Sequence, residues 1–217
     1  MNKKLTCILL LSSILLFGCF GGQANQTGGQ PNPTTQLKQC PANCNDHNSC
    51  TNDYCNASTN FQCRYDAAKN CYYNDEYRFS LIYPDGWRTS DQIPVVSISL
   101  LGPSEDNFTS NCNIGEEELP AGTTLNQYVG AVKNHYRELY SDDIYALLQE
   151  SNITVNGLRG YEYISTLDRG DHVQKSKRAI LLRGQTAHII TCSTVPSTFS
   201  RSEPDFDTII NSFKFSE

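Results

Sequence analysis

The sequence predicts an α+β domain that follows a small disulfide-rich module. Three observations lead to this fold class. Several short runs alternate apolar and polar residues, as half-buried strands do, and two stretches have apolar residues at helical spacing. Six cysteines crowd together between Cys40 and Cys71. Because strands come first, then a helix, more strands and a final helix, the order favours a layered α+β domain over a Rossmann-type alternation.

The chain begins with a pattern that is typical of export. Lys3 and Lys4 precede an apolar run from Leu5 to Phe17, as a positive region precedes the apolar region of a secretory signal. This run is shorter than the roughly 20 apolar residues that span a bilayer. We therefore predict a signal peptide over residues 1–18.

Cys19 is predicted to carry a lipid. The four residues from Leu16 to Cys19, Leu-Phe-Gly-Cys, resemble the lipobox of prokaryotic lipoproteins, whose cysteine is acylated after the signal is cut. Two acyl chains suffice for stable anchoring, at about 0.8 kcal/mol per buried CH₂ group. The resemblance implies attachment to a cell membrane at its extracytoplasmic face. The alternative is an ordinary cleaved signal in which Cys19 is incidental.

Residues 19–38 are rich in Gly, Gln, Asn, Thr and Pro and are predicted to form a flexible linker. The net charge of the chain is −6, and removal of Lys3 and Lys4 with the signal takes it to −8. An acidic chain of this kind is a poor candidate for nucleic-acid binding, so we expect no nucleic-acid partner.

Residues 39–73 are predicted to form a cysteine-rich module held by disulfide bonds. So short an exported segment has few large apolar residues and cannot otherwise offset its chain entropy. An even number of cysteines implies three bridges, whose connectivity the sequence leaves open. The bridged residues are predicted to be Cys40, Cys44, Cys50, Cys55, Cys63 and Cys71.

The segment from Cys44 to Cys55 resembles a cysteine-rich repeat of exported prokaryotic proteins, C-x-D-x-x-x-C-T-x-D-x-C. The segment offers residues for two kinds of metal site, zinc and calcium, and we predict neither. Zinc would use Cys44, His47 and Cys50, but no C-x-x-C pair occurs and the compartment is oxidising. Calcium would use oxygens of the residues Asp46, Asn48 and Asp53, for which Asx-turn hydrogen bonds are the simpler explanation.

The predicted elements of residues 74–217 follow from local signals. Turn residues bound the early strands, Thr124 and Gln127 form a capping box before a helix, and Asn156-Gly157 and Gly184-Gln185 are hairpin turns. The early strands are expected over 77–83, 95–101 and 112–117, and the final helix runs from Pro204 to Phe213 with Ser202 as its N-cap.

Four of these motifs together resemble PsbP-like domains. The segment from Tyr77 to Trp87, Tyr-Arg-Phe-Ser-Leu-Ile-Tyr-Pro-Asp-Gly-Trp, is similar to the opening of that family. Residues 119–128, 155–157 and 210–213 match it in the same order. The resemblance implies an αβα sandwich with a central antiparallel sheet over residues 74–217, used for binding or assembly and not for chemistry.

The last two thiols, Cys112 and Cys192, fall in predicted strands and are expected to pair across the sheet, although two buried free thiols are the alternative. Two other polar features were considered as sites. Glu116 to Glu118 form either a cation site or, by preference, a solvated strand end. His188 and Cys192 share one strand face, which makes a soft-metal pair conceivable unless Cys192 is bridged.

No motif for nucleophilic, phosphate or metal chemistry occurs, so we predict no catalytic residue, no metal and no cofactor. The expected function is that of a non-catalytic, membrane-anchored extracytoplasmic lipoprotein whose PsbP-like domain binds a partner protein or a small ligand. The alternatives are a surface adhesion or structural envelope component that acts through the cysteine-rich module, and an enzyme with an unrecognised site.

Overall fold

The computed structural model describes residues 38–93 and 95–216, which form twelve strands and two α-helices. The helices are α1 (Leu125–Leu139) and α2 (Phe199–Ser212). The strands are β1 (Thr51–Tyr54), β2 (Arg64–Ala67), β3 (Cys71–Asn74), β4 (Phe79–Ile82), β5 (Arg88–Ser90), β6 (Ile98–Glu105), β7 (Phe108–Glu118), β8 (Tyr145–Val155), β9 (Leu158–Asp168), β10 (Val173–Arg183), β11 (Thr186–Thr194) and β12 (Lys214–Phe215).

A seven-stranded antiparallel sheet in the order β5-β6-β7-β11-β10-β9-β8 forms the centre of the domain. A smaller sheet has the order β12-β4-β3, and β1 pairs with β2 alone. Because side chains alternate between the faces of a strand, β10 presents Ile180 to one side and Leu181 to the other. Ile180 belongs to a core cluster with Tyr128 of α1, and Leu181 to a cluster with Phe206 of α2. The predicted αβα arrangement is thus confirmed.

The local signals placed several elements correctly. Thr124 caps α1 through the predicted capping box, in which its hydroxyl accepts from the backbone N–H of Gln127 at 3.3 Å. The turn at Asn156-Gly157 joins β8 to β9, and the turn at Gly184 joins β10 to β11. Asn156, Gly157 and Gly184 all have the positive φ that such tight hairpin turns require.

Several predicted elements were wrong in extent. The strand expected to end at residue 101 runs on as β6 and turns at Asp106 and Asn107, which have φ of 50° and 60°, into the long strand β7. Helix α2 begins after Thr198, which is its N-cap, and not after Ser202. Pro204 therefore lies inside the helix. The helix starts earlier than predicted because its first turn carries the buried Phe199 into the core.

The eight cysteines predicted to be bridged form four disulfide bonds. Cys112 and Cys192 lie directly opposite each other on β7 and β11, with a Cα–Cα distance of 3.9 Å, so the alternative of two free thiols is wrong. In the cysteine-rich segment, the three pairs are Cys40–Cys55, Cys44–Cys63 and Cys50–Cys71.

The cysteine-rich segment is continuous with the domain in space. Strand β3, which begins at Cys71, pairs with β4 of the smaller sheet. The hydroxyl of Ser49 donates to that of Ser80 on β4 at 2.6 Å and lies 3.2 Å from the hydroxyl of Ser216. The boundary predicted between residues 73 and 74 stays a prediction.

The predicted signal peptide, Cys19 and residues 19–37 of the predicted linker lie outside the described residues. Of the two α-helices in the described part of the chain, neither is long and apolar enough to cross a membrane.

Candidate functional site

The three consecutive carboxylates of β7 do not form one site. Glu116 is buried on the face toward α2, where it accepts a hydrogen bond from Ser97. Glu117 lies on the α1 face, and Glu118 accepts from the hydroxyl of Thr186 at 2.6 Å. Successive residues of a strand face opposite sides, so the three carboxylates cannot share one cation. The preferred interpretation as a solvated strand end is also wrong for Glu116, whose side chain is 3% exposed.

His188 is not a metal ligand in partnership with Cys192, because the sulfur of Cys192 is bonded to Cys112. The imidazole is buried, and its Nδ1 lies 3.7 Å from Oε1 of Glu116. Aromatic rings surround it, with centroids 4.7 to 6.2 Å away; they belong to Tyr77, Phe79, Phe213 and Phe215. His188 and Glu116 are therefore part of the core between the two sheets.

In the cysteine-rich segment, residues of the zinc and the calcium site form disulfide bonds and hydrogen bonds instead. Cys44 and Cys50, the thiols of the possible zinc site, are in disulfide bonds. Oδ1 of Asp46 accepts the N–H of Asn48 at 2.8 Å, and Oδ1 of Asn48 accepts the N–H of Cys50 at 2.9 Å. These are Asx turns. Across residues 38–93 and 95–216, no group of three or more His, Cys, Asp or Glu side chains is arranged to hold a metal ion.

A pocket of about 450 Å³ lies between α1 and the central sheet. Helix α1 lines it with residues spaced i, i+3, i+4, i+7 and i+8, which form one helical face. The sheet lines it from β7, β10 and β11. Its lining comprises Tyr128, Ala131, Val132, His135 and Tyr136 of the helix and Glu117, Arg178, Ile180 and Ile189 of the sheet. The volume lies within the range of small-ligand sites.

Arg178 provides the positive charge of this pocket. Its Nε donates to the hydroxyl of Thr191 at 2.9 Å and its Nη1 to the hydroxyl of Tyr163 at 2.6 Å. The guanidinium carbon lies 5.1 Å from the ring centroid of Tyr136 and 5.4 Å from that of Tyr163. Among the described residues, Arg178 makes no salt bridge with any carboxylate.

The phenol of Tyr163 does not neutralise this guanidinium. Burial raises the pKa of Tyr163 to about 12, so its hydroxyl stays protonated at physiological pH. Thr191 is likewise a neutral acceptor. The positive charge of Arg178 therefore has hydrogen-bond partners but, in the described part of the domain, no carboxylate in salt-bridge contact.

Glu117 and Tyr128 form the other polar part of the pocket. The hydroxyl of Tyr128 donates to Oε2 of Glu117 at 2.5 Å. Burial raises the pKa of Tyr128, and the bond to Glu117 raises it further, so the phenol remains a donor. Between this pair and Arg178, Ile180 and Ile189 supply an apolar floor. The arrangement can hold a small molecule with one apolar body and one or two polar ends.

Reasoning from the sequence missed this pocket. Tyr128 and Tyr136 fall at the helical spacing of core residues, and a core role is right for the buried ring of Tyr128 but not for its hydroxyl or for Tyr136. Arg178 was passed over, although a charged residue directly before the apolar run Ala179–Leu182 is a signal that could have found it.

Comparison with known proteins gives a consistent result. A family model described as PsbP-like protein matches residues 42–215. The solution structure of cyanobacterial PsbP (CyanoP) from Synechocystis sp. PCC 6803 is 18% identical, covers 67% of this chain and 91% of its own, and has a TM-score of 0.52.

The crystal structure of LpqN, involved in cell envelope biogenesis of Mycobacterium tuberculosis, is 11% identical and has a TM-score of 0.53. That alignment covers 64% of this chain and 83% of LpqN. No sequence of a curated protein matches the chain. At these identities, the two structures show a shared fold.

Proposed function

We propose that this chain, which belongs to the PsbP-like protein family, is a non-catalytic, membrane-anchored lipoprotein of the cell envelope whose domain binds a small ligand or a partner protein. The observation that carries the proposal is the pocket beneath α1. It combines an apolar floor, an arginine that forms no salt bridge and a tyrosine–carboxylate pair. A few polar groups around an apolar cavity are the usual composition of a ligand site.

The cysteine-rich segment supports a binding role for the domain by holding it rigidly. Three disulfide bonds cross-link this segment internally, and the strand pair β3–β4 joins it to the domain, so it serves as a stiff spacer between the linker and the pocket. The structural likeness to LpqN, a protein involved in cell envelope biogenesis, agrees with an extracytoplasmic place of action.

The binding proposal is tested by native mass spectrometry of the full chain purified from its own membrane. We expect a bound small molecule on the wild type and its loss in the Ala131→Trp variant, because Ala131 lines the pocket and an indole there would fill it. The matched control is Thr208→Trp, which adds the same indole to an exposed position of α2.

Chemical crosslinking on the same membranes tests whether the domain binds a partner protein. A partner that is retained by Thr208→Trp and lost by Ala131→Trp would support binding at the pocket. If all three proteins carry no ligand and give identical crosslinks, the pocket is not a binding site and the proposal fails.

The anchor is a separate prediction that rests on Cys19. Replacement of Cys19 by Ala removes the acylated sulfur, so the protein should either be released into the medium or remain uncut. Membrane fractionation and intact mass measurement distinguish these results from the wild type. Unchanged retention together with unchanged processing would refute the lipid assignment.

A further inference from the structure

We propose that the pocket beneath α1 takes a monocarboxylate with an apolar body, whose carboxylate pairs with the guanidinium of Arg178. The inference rests on the proposed binding role of the domain and adds the chemical class of the ligand. It is carried by the unpaired charge of Arg178, by the flanking aromatic rings and by the composition of the pocket walls.

The first step of the argument is the charge of Arg178. A guanidinium that is withdrawn from water is costly unless a counter-charge compensates it. Arg178 is partly buried, and the hydrogen-bond acceptors that hold it are the neutral hydroxyls of Thr191 and Tyr163. The next residue of β10 toward the N-terminus, Lys177, shows the contrast, because three carboxylates lie within 3.6 Å of its amine on the opposite face.

The second step is the orientation of the guanidinium. Its central carbon lies over the rings of Tyr136 and Tyr163, and two of its donor groups are fixed by hydrogen bonds. These contacts hold the planar fork in place before any ligand arrives. An arginine fork that is held in this way matches the two oxygens of a carboxylate.

The third step concerns the charge and the shape of the ligand. Glu117 lines the same pocket, and its carboxylate opposes the entry of a dianion such as phosphate. Ile180, Ile189 and Val132 line the space between Glu117 and Arg178 with apolar groups. Because Tyr128 already donates to Glu117, Arg178 is the charged group of the pocket left for a ligand. One such charge between apolar walls favours a singly charged acid with a hydrocarbon or aromatic body.

The test uses isothermal titration calorimetry on the full chain in detergent, with hexanoate, phenylacetate and 3-phenylpropanoate as probes. The corresponding neutral amides serve as controls for partition into the micelle and for apolar binding. We expect each bound acid to bind at least about tenfold more tightly than its amide, because one charge-assisted bidentate pair is removed in the amide. The ¹⁵N resonance of Arg178 Nε should shift with the acids only.

Three variants locate the interaction. Arg178→Met should abolish the preference for the acid over the amide while retaining the fold, since an apolar side chain of similar volume replaces a withdrawn charge. Arg178→Lys should retain part of the preference. The matched control is Arg183→Met on the same strand, because Arg183 is exposed on the opposite face, where it lies over the ring of Phe215.

The possible outcomes separate this inference from the binding role itself. If acids and amides bind equally well and Arg178→Met changes neither, the pocket is a ligand site but the carboxylate assignment is overturned. If no probe binds, the carboxylate assignment is also overturned, and native mass spectrometry then decides the binding role independently. A preference for the acids that Arg178→Met removes and Arg183→Met retains establishes the inference.

Discussion

Lys177 and Arg178 are neighbours on β10 but face opposite sides of the sheet, and their charges have different partners. Lys177 faces α2 and is 7% exposed, with Asp207 at 2.5 Å, Glu203 at 3.3 Å and Glu162 at 3.6 Å from its amine. Arg178 faces α1, where no carboxylate of the described residues forms a salt bridge with it. The first charge fastens a helix to the sheet, and the second is available to a ligand.

Replacement of Lys177 by Met should lower the free energy of unfolding by about 3 kcal/mol near neutral pH, because three carboxylates would lose their shared cation. Burial already raises the pKa of Glu162, while Lys177 lowers it. Without Lys177, the folded state holds a proton on this carboxyl more tightly than the unfolded state does. The stability of the variant should therefore fall as pH rises through the range of carboxyl titration.

Urea denaturation of the wild type and Lys177→Met near neutral pH and at about pH 5 measures this effect, and the difference between the two proteins should shrink at the lower pH. The matched control is Lys175→Met, two residues away on the same strand face, whose amine lies 4.2 Å from the ring centroid of Phe199. That variant should lose less than about 1 kcal/mol. A pH-independent loss in Lys177→Met would contradict the charge argument.

At the scale of elements, replacing two glycines by alanine is expected to change the stability of the protein in opposite directions. A Cβ added to Gly102 of β6 would lie 2.5 Å from Cε2 of Trp87, a ring that is buried and donates through Nε1 to Asp205 at 2.9 Å. Gly102→Ala should therefore destabilise the protein by about 1–3 kcal/mol. A Cβ added to Gly130 in α1 meets nothing within 4 Å, so Gly130→Ala should stabilise it by about 0.5–1 kcal/mol.

Thermal and urea denaturation of the two alanine variants, followed by the fluorescence of Trp87, measures both effects. Trp87 is the only tryptophan of the chain, so its emission also reports whether its ring has moved. Equal changes of stability in the two variants would mean that packing against Trp87 does not determine the cost.

The sequence was informative wherever a signal is local. The pair Asn156-Gly157 and the capping box at Thr124 fix a turn and a helix start through a few adjacent residues, and both are where they were predicted. The turn at Asp106-Asn107 contains no glycine and was not predicted, so the two strands that it joins, β6 and β7, were predicted to end and to begin too far from it. The pocket depends on α1 lying over β10 and β11, which no local pattern contains.

At the scale of the whole molecule, the cysteine-rich segment and the domain share one smaller sheet. Strand β3 begins at a cysteine that is bridged to Cys50, and β4 belongs to the core that packs against α2. Asn156 of the β8–β9 turn donates to the carbonyl of Phe213 at 2.7 Å and so joins the C-terminal segment to the central sheet. These connections join the cysteine-rich segment, the central sheet and the C-terminal segment of the described chain to one another.

The described residues should therefore unfold in a single cooperative transition. Differential scanning calorimetry of the oxidised protein should give equal calorimetric and van't Hoff enthalpies, and the unfolding curves from tyrosine and from Trp87 should coincide. A separate transition of lower temperature that involves only the tyrosine signal would show that the cysteine-rich segment melts on its own.

The smaller sheet also has a consequence for the timing of biosynthesis. Its strands β4 and β12 pair through Phe79 and Phe215, yet Ile82 and Ser212, which are hydrogen-bonded to each other, are 130 residues apart in the chain. A ribosome that adds roughly 5–20 residues per second needs on the order of ten seconds to make that stretch. During this interval β4 has an open edge and two uncovered apolar side chains, Phe79 and Leu81, so the nascent chain is most vulnerable to pairing with a foreign strand before β12 is made.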